Sequence, residues 1–573
     1  MGRLMSVVIG TLLLAACAPS AAPGAARPSA GQTTAPARPF SILVGREPTS
    51  LSLKPLGQAN TTTATTRRLF NATLALIDPA GAALPYLAES LPQLNTPAWQ
   101  VSADGHMETT YRLRTGLLWH DGESLTADDF VFSWQVYAQQ QLGQASSLPF
   151  NSIDEVAAPD AETLVIRWRR PYPTAGALVS ELPPIPRHVL GSALQQLESG
   201  AISAEAFIRQ PYWTTEFIGA GPYKLDRWES GVSLDGVVFD QHILGRPIIE
   251  RVTVAFSTDQ NAALARILGG YVDYASDSSL GNTQALTLKR EWTANTGGSI
   301  LVKLDYFRGA YPQLRPEMAN PAAIMELPVR QALAFAVDKQ ALYDGLDGFE
   351  GGNILAEGPF VPPTAAYYAQ VERAVTKYPH DPRQAEQLMT SAGISKDSDG
   401  FYRGTEGRLR WEIKTSASVD NEAETSILAN SWRQAGFDFQ QAVLPASQSQ
   451  DGQARATYPT LYSFGTTIGE PMLIGMNTAG IPRPENRWTG SNRGGWSNPD
   501  FDRLSDALTQ TLEQDQRAQL IAQMTGLVSR EAVAIPLFFY GNPVAATSGV
   551  VGVGPVVQDA TFEWNIHQWK LAR

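Results

Sequence analysis

Between residues 40 and 545, short apolar runs that read as buried strands alternate with capped, amphipathic segments of helical period, and this alternation limits the fold more than any other feature. Interleaved strands and helices bury their apolar faces as α/β layers, whereas a helix bundle or an all-β sandwich leaves one of the two patterns unexplained. The run Phe40-Ser41-Ile42-Leu43-Val44-Gly45 predicts a first buried strand closed by glycine, and residues 68–74 predict a helix. Residues 109–113 alternate as a strand before a turn at Gly116. Thr126 followed by Asp129 has the spacing of a helix N-cap, since oxygens at those positions satisfy the free N–H groups of a first turn. Phe130, Val131, Trp134, Val136 and Tyr137 then supply the apolar stripe. Strands are predicted at 163–166, 231–239, 250–256 and 408–415, with helices at 261–268, 329–342, 385–392 and 423–435, the last two closed by Gly393 and Gly436. No solenoid repeat occurs, and no second long linker follows the N-terminal one, so domains are joined by short crossings.

The chain has 573 residues, and its 44 basic and 56 acidic side chains leave a net charge of -12. That balance excludes a nucleic-acid surface, which needs clustered Lys and Arg. Cys17 is the single cysteine, so no internal disulfide, Cys-rich zinc module or iron–sulfur cluster can form. Cys17 also ends the N-terminal segment. Arg3 is followed by an apolar run of about 13 residues, short of the roughly 20 that span a bilayer and suited to the core of a signal peptide. Leu14-Ala15-Ala16-Cys17 resembles a bacterial lipobox, in which the cysteine is acylated and becomes the first mature residue. An ordinary signal peptide with an incidental cysteine is the alternative. Residues 1–16 are thus expected to be a signal peptide and 17–39, rich in Ala, Pro, Ser and Gly, a lipidated, disordered tether. The remainder is expected to be extracytoplasmic, held at the outer face of the cell membrane or in the periplasm.

Catalytic and metal motifs find little support. His106, His120 and His188 fall in separate elements, and the neighbours His120 and Asp121 read as part of a turn with the imidazole bonded to backbone. Gly552-Val553-Gly554 lacks the third glycine of a dinucleotide loop, and no Gly-x-Ser-x-Gly elbow occurs. Asp397-Ser398-Asp399-Gly400 starts like a calcium loop but continues Phe401-Tyr402-Arg403, and reads as a polar turn. No catalytic residue, metal site or cofactor is predicted.

The stretch Tyr111-Arg112-Leu113-Arg114-Thr115-Gly116-Leu117-Leu118-Trp119-His120-Asp121-Gly122-Glu123, running on to Trp134, resembles the signature of the family 5 (peptide/nickel) extracellular solute-binding proteins of ABC importers. Further blocks follow in the family's order: Pro184-Ile185-Pro186-Arg187-His188, Gly219-Ala220-Gly221-Pro222-Tyr223, Val329-Arg330-Gln331-Ala332-Leu333, Trp496-Ser497-Asn498-Pro499-Asp500 and Ala534-Ile535-Pro536-Leu537-Phe538. The resemblance implies an α/β, type II periplasmic-binding-protein fold, with two lobes, a hinge, a cleft between the lobes and an extra domain. By block order, residues 40–86, 209–304 and 536–573 form the first lobe, 87–208 the extra domain and 305–535 the second lobe. It further implies a monomer that captures a small ligand, foremost an oligopeptide, and delivers it to an ABC transporter permease. In the family an aromatic residue and an acid three positions later anchor the peptide's amino terminus. Phe464 stands at the aromatic here, Thr467 at the acid, and Glu470 could take the acid's place if the loop is displaced. Gln58, Asn60, Thr61, Tyr540 and Asn542 match first-lobe segments that face ligand in relatives, and Arg487, Trp488 and Trp496 lie in a Trp- and Asn-rich loop suited to stacking and amide recognition. The lost acid makes an oligosaccharide the second ligand class, and a binding module that feeds a sensor without transport is the rival of a different kind.

Overall fold

The computed structural model describes residues 38–55, 64–145, 148–295, 297–346, 354–405, 407–449 and 451–572. Apart from Arg38 these belong to one body, Pro39–Arg573. The signal peptide, Cys17 and nearly all of the tether lie outside the described residues, as do Gln58, Asn60 and Thr61.

A seven-stranded sheet carries, in order, Gly298–Val302, Pro543–Thr547, Tyr274–Ser276, Phe40–Val44, Arg251–Phe256, Ser233–Val238 and Tyr223–Glu229. Phe40–Val44 runs parallel to both of its neighbours. A strand flanked by parallel neighbours is covered on both faces, which explains its unbroken apolar run; Phe40, Ile42, Leu43 and Val44 are all fully buried. A six-stranded sheet carries Ile354–Leu355, Ile535–Tyr540, Tyr306–Pro312, Leu461–Thr467, Arg410–Ser416 and Asp438–Leu444. A third sheet, antiparallel, gathers five strands between Ala88 and Trp168 and packs against the helix Ala127–Tyr137.

The N-cap forms as the spacing predicts, with the Thr126 N–H donating to Asp129 Oδ2 at 3.0 Å. Asp129 also accepts the Arg187 N–H at 3.0 Å and the Trp119 indole N–H at 3.3 Å, so one carboxylate ties the cap, the Trp119 turn and the Pro186 helix start together. Gly436 closes the helix Val419–Ala435 in the left-handed conformation, at φ 104°. Two predicted helices are corrected. The helix predicted at 329–342 is two helices, Leu327–Phe335 and Lys339–Gly345. Ser431, distant in sequence, satisfies the break: its hydroxyl donates to the Ala336 carbonyl at 3.0 Å and accepts the Asp338 N–H at 3.2 Å, while Asp338 caps the second helix. The helix predicted at 68–74 is Ala64–Phe70, because buried Asn71 turns its side chain back to accept the Ala72 N–H.

Among the described residues the chain passes twice between the seven- and six-stranded sheets, from Val302 to Tyr306 and from Tyr540 to Pro543. The two passing segments stay antiparallel partners on both sides, Val302 opposite Pro543 and Tyr306 opposite Tyr540. They touch in between, where a Cβ on Gly541 would lie 1.6 Å from the Lys303 carbonyl oxygen. Lys303 is held in turn by its ammonium, which donates to the carbonyls of Gln558 and Ala560 at 2.9 Å. Gly541→Ala should therefore lower the unfolding free energy by about 2 kcal/mol or more in urea denaturation; an unchanged midpoint would show that the crossing strands can part without cost.

Candidate functional site

Where the crossing strands enter the six-stranded sheet they place two tyrosines side by side. Tyr306 and Tyr540 stack with centroids 5.2 Å apart and an interplanar angle of 26°. Thr467, exposed at the end of its strand, is the register partner of Tyr306 on the other side. The Asn542 amide lies within hydrogen-bonding reach of the Tyr306 hydroxyl. Three predicted residues, Thr467, Tyr540 and Asn542, are thus brought together, and the reading of the sequence missed Tyr306 between them. Burial raises the pKa of both tyrosines, with Asp305 adding to the effect on Tyr306, so both remain hydrogen-bond donors at neutral pH.

The opposing surface comes from the C-terminal ends of the parallel strands of the seven-stranded sheet. Asp277 and Ser278, directly after Tyr274–Ser276, are both left-handed, at φ 48° and 64°. Non-glycine residues held in that region store strain and concentrate at binding sites. Gly45 permits the arrangement, since a Cβ there would lie 2.6 Å from the Asp277 carbonyl oxygen. The Asp277 carboxylate accepts the Thr65 N–H at 3.2 Å and acts on the guanidinium of Arg67, which also feels Glu181. Beneath them, buried Glu563 accepts the Thr65 hydroxyl at 2.8 Å and the Tyr274 hydroxyl at 2.5 Å. Burial, reinforced by Asp277, raises the Glu563 pKa. Arg67, Arg68, Asn71, Tyr86, Asp559 and Trp564 border a cavity of about 130 Å³. Ligand pockets run to about 300–1,000 Å³, so this space takes only a small part of a ligand. None of these residues announced itself in the sequence, apart from the glycine that ends the first strand.

The other predicted residues are placed differently. Phe464 is buried, stacked on Tyr311 at 4.1 Å. Glu470 forms an ion pair with Arg517, which also donates to the carbonyls of Leu508 and Thr511, so this acid already has a partner. Trp496 is buried in the core, its indole N–H donating to Glu531 at 2.7 Å. Arg487 is exposed and Trp488 half-buried, both left-handed. His120 is the backbone-bonded turn residue the sequence suggested: Nδ1 accepts the Gly219 N–H at 3.2 Å and Nε2 faces the Gly221 carbonyl at 3.0 Å. Asp397 likewise closes a polar turn, accepting the Phe401 N–H and pairing with Arg408. Among the described residues no group of three or more His, Cys, Asp or Glu side chains could hold a metal ion.

Two α/β layers joined by a two-strand hinge, with a further β-rich domain, define the type II periplasmic-binding-protein fold. Solved structures of that fold match along nearly the whole chain. The nickel-histidine complex of NikZ from Campylobacter jejuni superposes with a TM-score of 0.72 at 20% identity, covering 93% of this chain and 99% of NikZ. A periplasmic oligopeptide-binding protein from Thermotoga maritima gives 0.75 at 18% identity, covering 93% and 99%. The chain belongs to the bacterial extracellular solute-binding proteins of family 5, whose middle region matches residues 85–472. It is also similar to the oligopeptide-binding protein AppA of Bacillus subtilis, 26% identical over 317 residues that make up 55% of this chain. The chain spans about half the length of such curated relatives, 52% for AppA.

Burial lowers the pKa of His120 to about 4, of His242 to about 3 and of His567 to about 4. With folded values below the ordinary 6.5, the unfolded chain takes up these protons first. The stability that the three neutral imidazoles contribute is therefore complete above pH 6.5 and is lost as the pH falls toward 4. In NMR titrations none of the three should protonate between pH 7.5 and 5.5; a midpoint near 6.5 for any of them would contradict the buried, neutral assignment.

Proposed function

We propose that this chain captures an oligopeptide between two lobes and delivers it to an ABC importer. Residues 40–86, 209–304 and 541–573 form the first lobe, 305–540 the second, and 87–208 the extra domain; the boundary expected at 535/536 moves to 540/541 because Ile535–Tyr540 pairs within the six-stranded sheet. The observation that carries the reading is the two-strand hinge with stacked Tyr306 and Tyr540 at its edge, the Asp277 carboxylate lying within electrostatic reach of both Tyr306 and Arg67. Two aromatic faces, hydroxyl and amide donors and one charge of each sign suit a zwitterionic, amide-rich ligand. A ligand touching both sides favours the closed arrangement by its differential affinity, and the permease would read that closed form. Membership of family 5 and the similarity to AppA support the same class. The protein acts by binding, without turnover. It works as a monomer, outside the cytoplasm, tethered through acylated Cys17; no helix among the described residues is long and apolar enough to cross a membrane.

An oligosaccharide is the second reading, favoured by Thr467 at the position where an acid would hold a peptide's ammonium. Thermal-shift panels separate the two. A peptide at 100 times its Kd should stabilise the protein by about 2.7 kcal/mol, and Tyr306→Ala should weaken that peptide at least tenfold. Shifts confined to oligosaccharides would transfer the assignment, and no shift with either panel would overturn capture. For the anchor, Cys17→Ser should release the protein from membranes into the soluble fraction; undiminished retention would contradict acylation.

A further inference from the structure

The second lobe carries an arginine without a counter-ion. The Arg493 guanidinium lies 4.3 Å above the Phe464 ring centre. It pairs with no carboxylate among the described residues, and its Nη1 is buried without a hydrogen-bond partner. The charged group that acts on it most is another arginine, Arg455, whose Nε is also buried and unpartnered. The hydroxyls of Tyr311 and Tyr458 lie within electrostatic reach of the same guanidinium, in residues 2% and 3% exposed, and they too lack partners. Burial and Arg455 lower the Arg493 pKa to about 10, which leaves it cationic at neutral pH. Unpaired buried donors are rare in native proteins, and a desolvated charge without a partner is costly unless something else offsets it. Arg493 as a whole is half-buried.

We infer that Arg493, with the hydroxyls of Tyr311 and Tyr458, forms an anion-binding subsite that takes a carboxylate of the captured peptide. The second lobe then grips its ligand by an acidic group, where an ammonium anchor would need the carboxylate that Thr467 lacks. Phe464 is a positioning residue, its ring holding the guanidinium plane so that two N–H groups can meet both oxygens of a carboxylate. The strand Leu461–Thr467 carries Phe464 and ends at Thr467 beside Tyr306.

The inference rests on peptide capture, and the test separates the two. A randomised tetrapeptide pool is offered to the purified protein as free acids, as C-terminal amides and as N-acetylated acids. Retained sequences are read by mass spectrometry, and their Kd values come from calorimetry. Amidation should weaken binding at least tenfold, while N-acetylation changes it less than threefold. Amides retained through Asp or Glu side chains would support the same subsite, assigning it to a side-chain carboxylate. In Arg493→Gln the free-acid preference should vanish; Tyr458→Phe, which removes one hydroxyl and leaves no cavity, should reduce it. Equal affinity for acids and amides in the unaltered protein, or an unchanged preference in a folded Arg493→Gln, would overturn the subsite and leave capture standing. No retention of any pool would overturn capture itself.

Discussion

The Lys303 backbone passes so close to residue 541 that only glycine fits between the two crossing segments. On either side of that contact the same two segments pair as neighbouring strands, one pair in each sheet. The ladders run up to the crossing from both sides, and residues 303–305 and 541–542 are the links between them. Asp305 stabilises the far side, its N–H donating to the Tyr540 carbonyl at 3.1 Å and its carboxylate pairing with Lys303 at 3.0 Å. The residues gathered around the site stand where they do because strand ends converge on this crossing: Tyr306, Tyr540 and Asn542 on the crossing strands themselves, and Asp277 at the end of a strand in the same sheet.

Charge in the second lobe includes groups already satisfied and, among the described residues, Arg493 with no carboxylate partner. Arg308 and Glu424, both buried, meet at 2.6 Å, and Ser463 donates to the other carboxylate oxygen. Removing one partner of such a pair strands the other in a low dielectric at a cost of about 3–5 kcal/mol, so this pair belongs to the fold. Glu470 with Arg517, and Glu531 between Trp496 and Asn498, are likewise committed to internal partners. Arg493 is built into the same lobe without such a partner, and that contrast separates a group available to ligand from groups that hold the lobe together.

Local chemistry was legible in the sequence wherever the cause was local. The Thr126–Asp129 cap, the Gly436 terminus, the central strand at residues 40–44 and the backbone-bonded His120 follow from spacing and residue type. The block resemblance identified the α/β layers and the family. What escaped was set by distant residues. The break at 336–338 is signalled locally only by the cap residue Asp338 and is completed by distant Ser431. Of the candidate site, Thr467, Tyr540 and Asn542 were named in advance, but Tyr306, Asp277 and Arg67 converge only once the sheets form. Phe464 and Trp496 were marked as ligand-facing aromatics, and both are instead packed against internal partners. An aromatic residue in a loop reads the same in sequence whether it stacks on a ligand or on its own core.

Closure about the crossing strands is the central claim, and small-angle X-ray scattering tests it most directly. Comparing the ligand-free protein with the same protein saturated by a peptide that raises its melting temperature, the account predicts a smaller radius of gyration on binding. It also predicts that this contraction is lost or diminished in Gly541→Ala. A peptide that binds and stabilises the protein while leaving the scattering curve unchanged would contradict the hinge account.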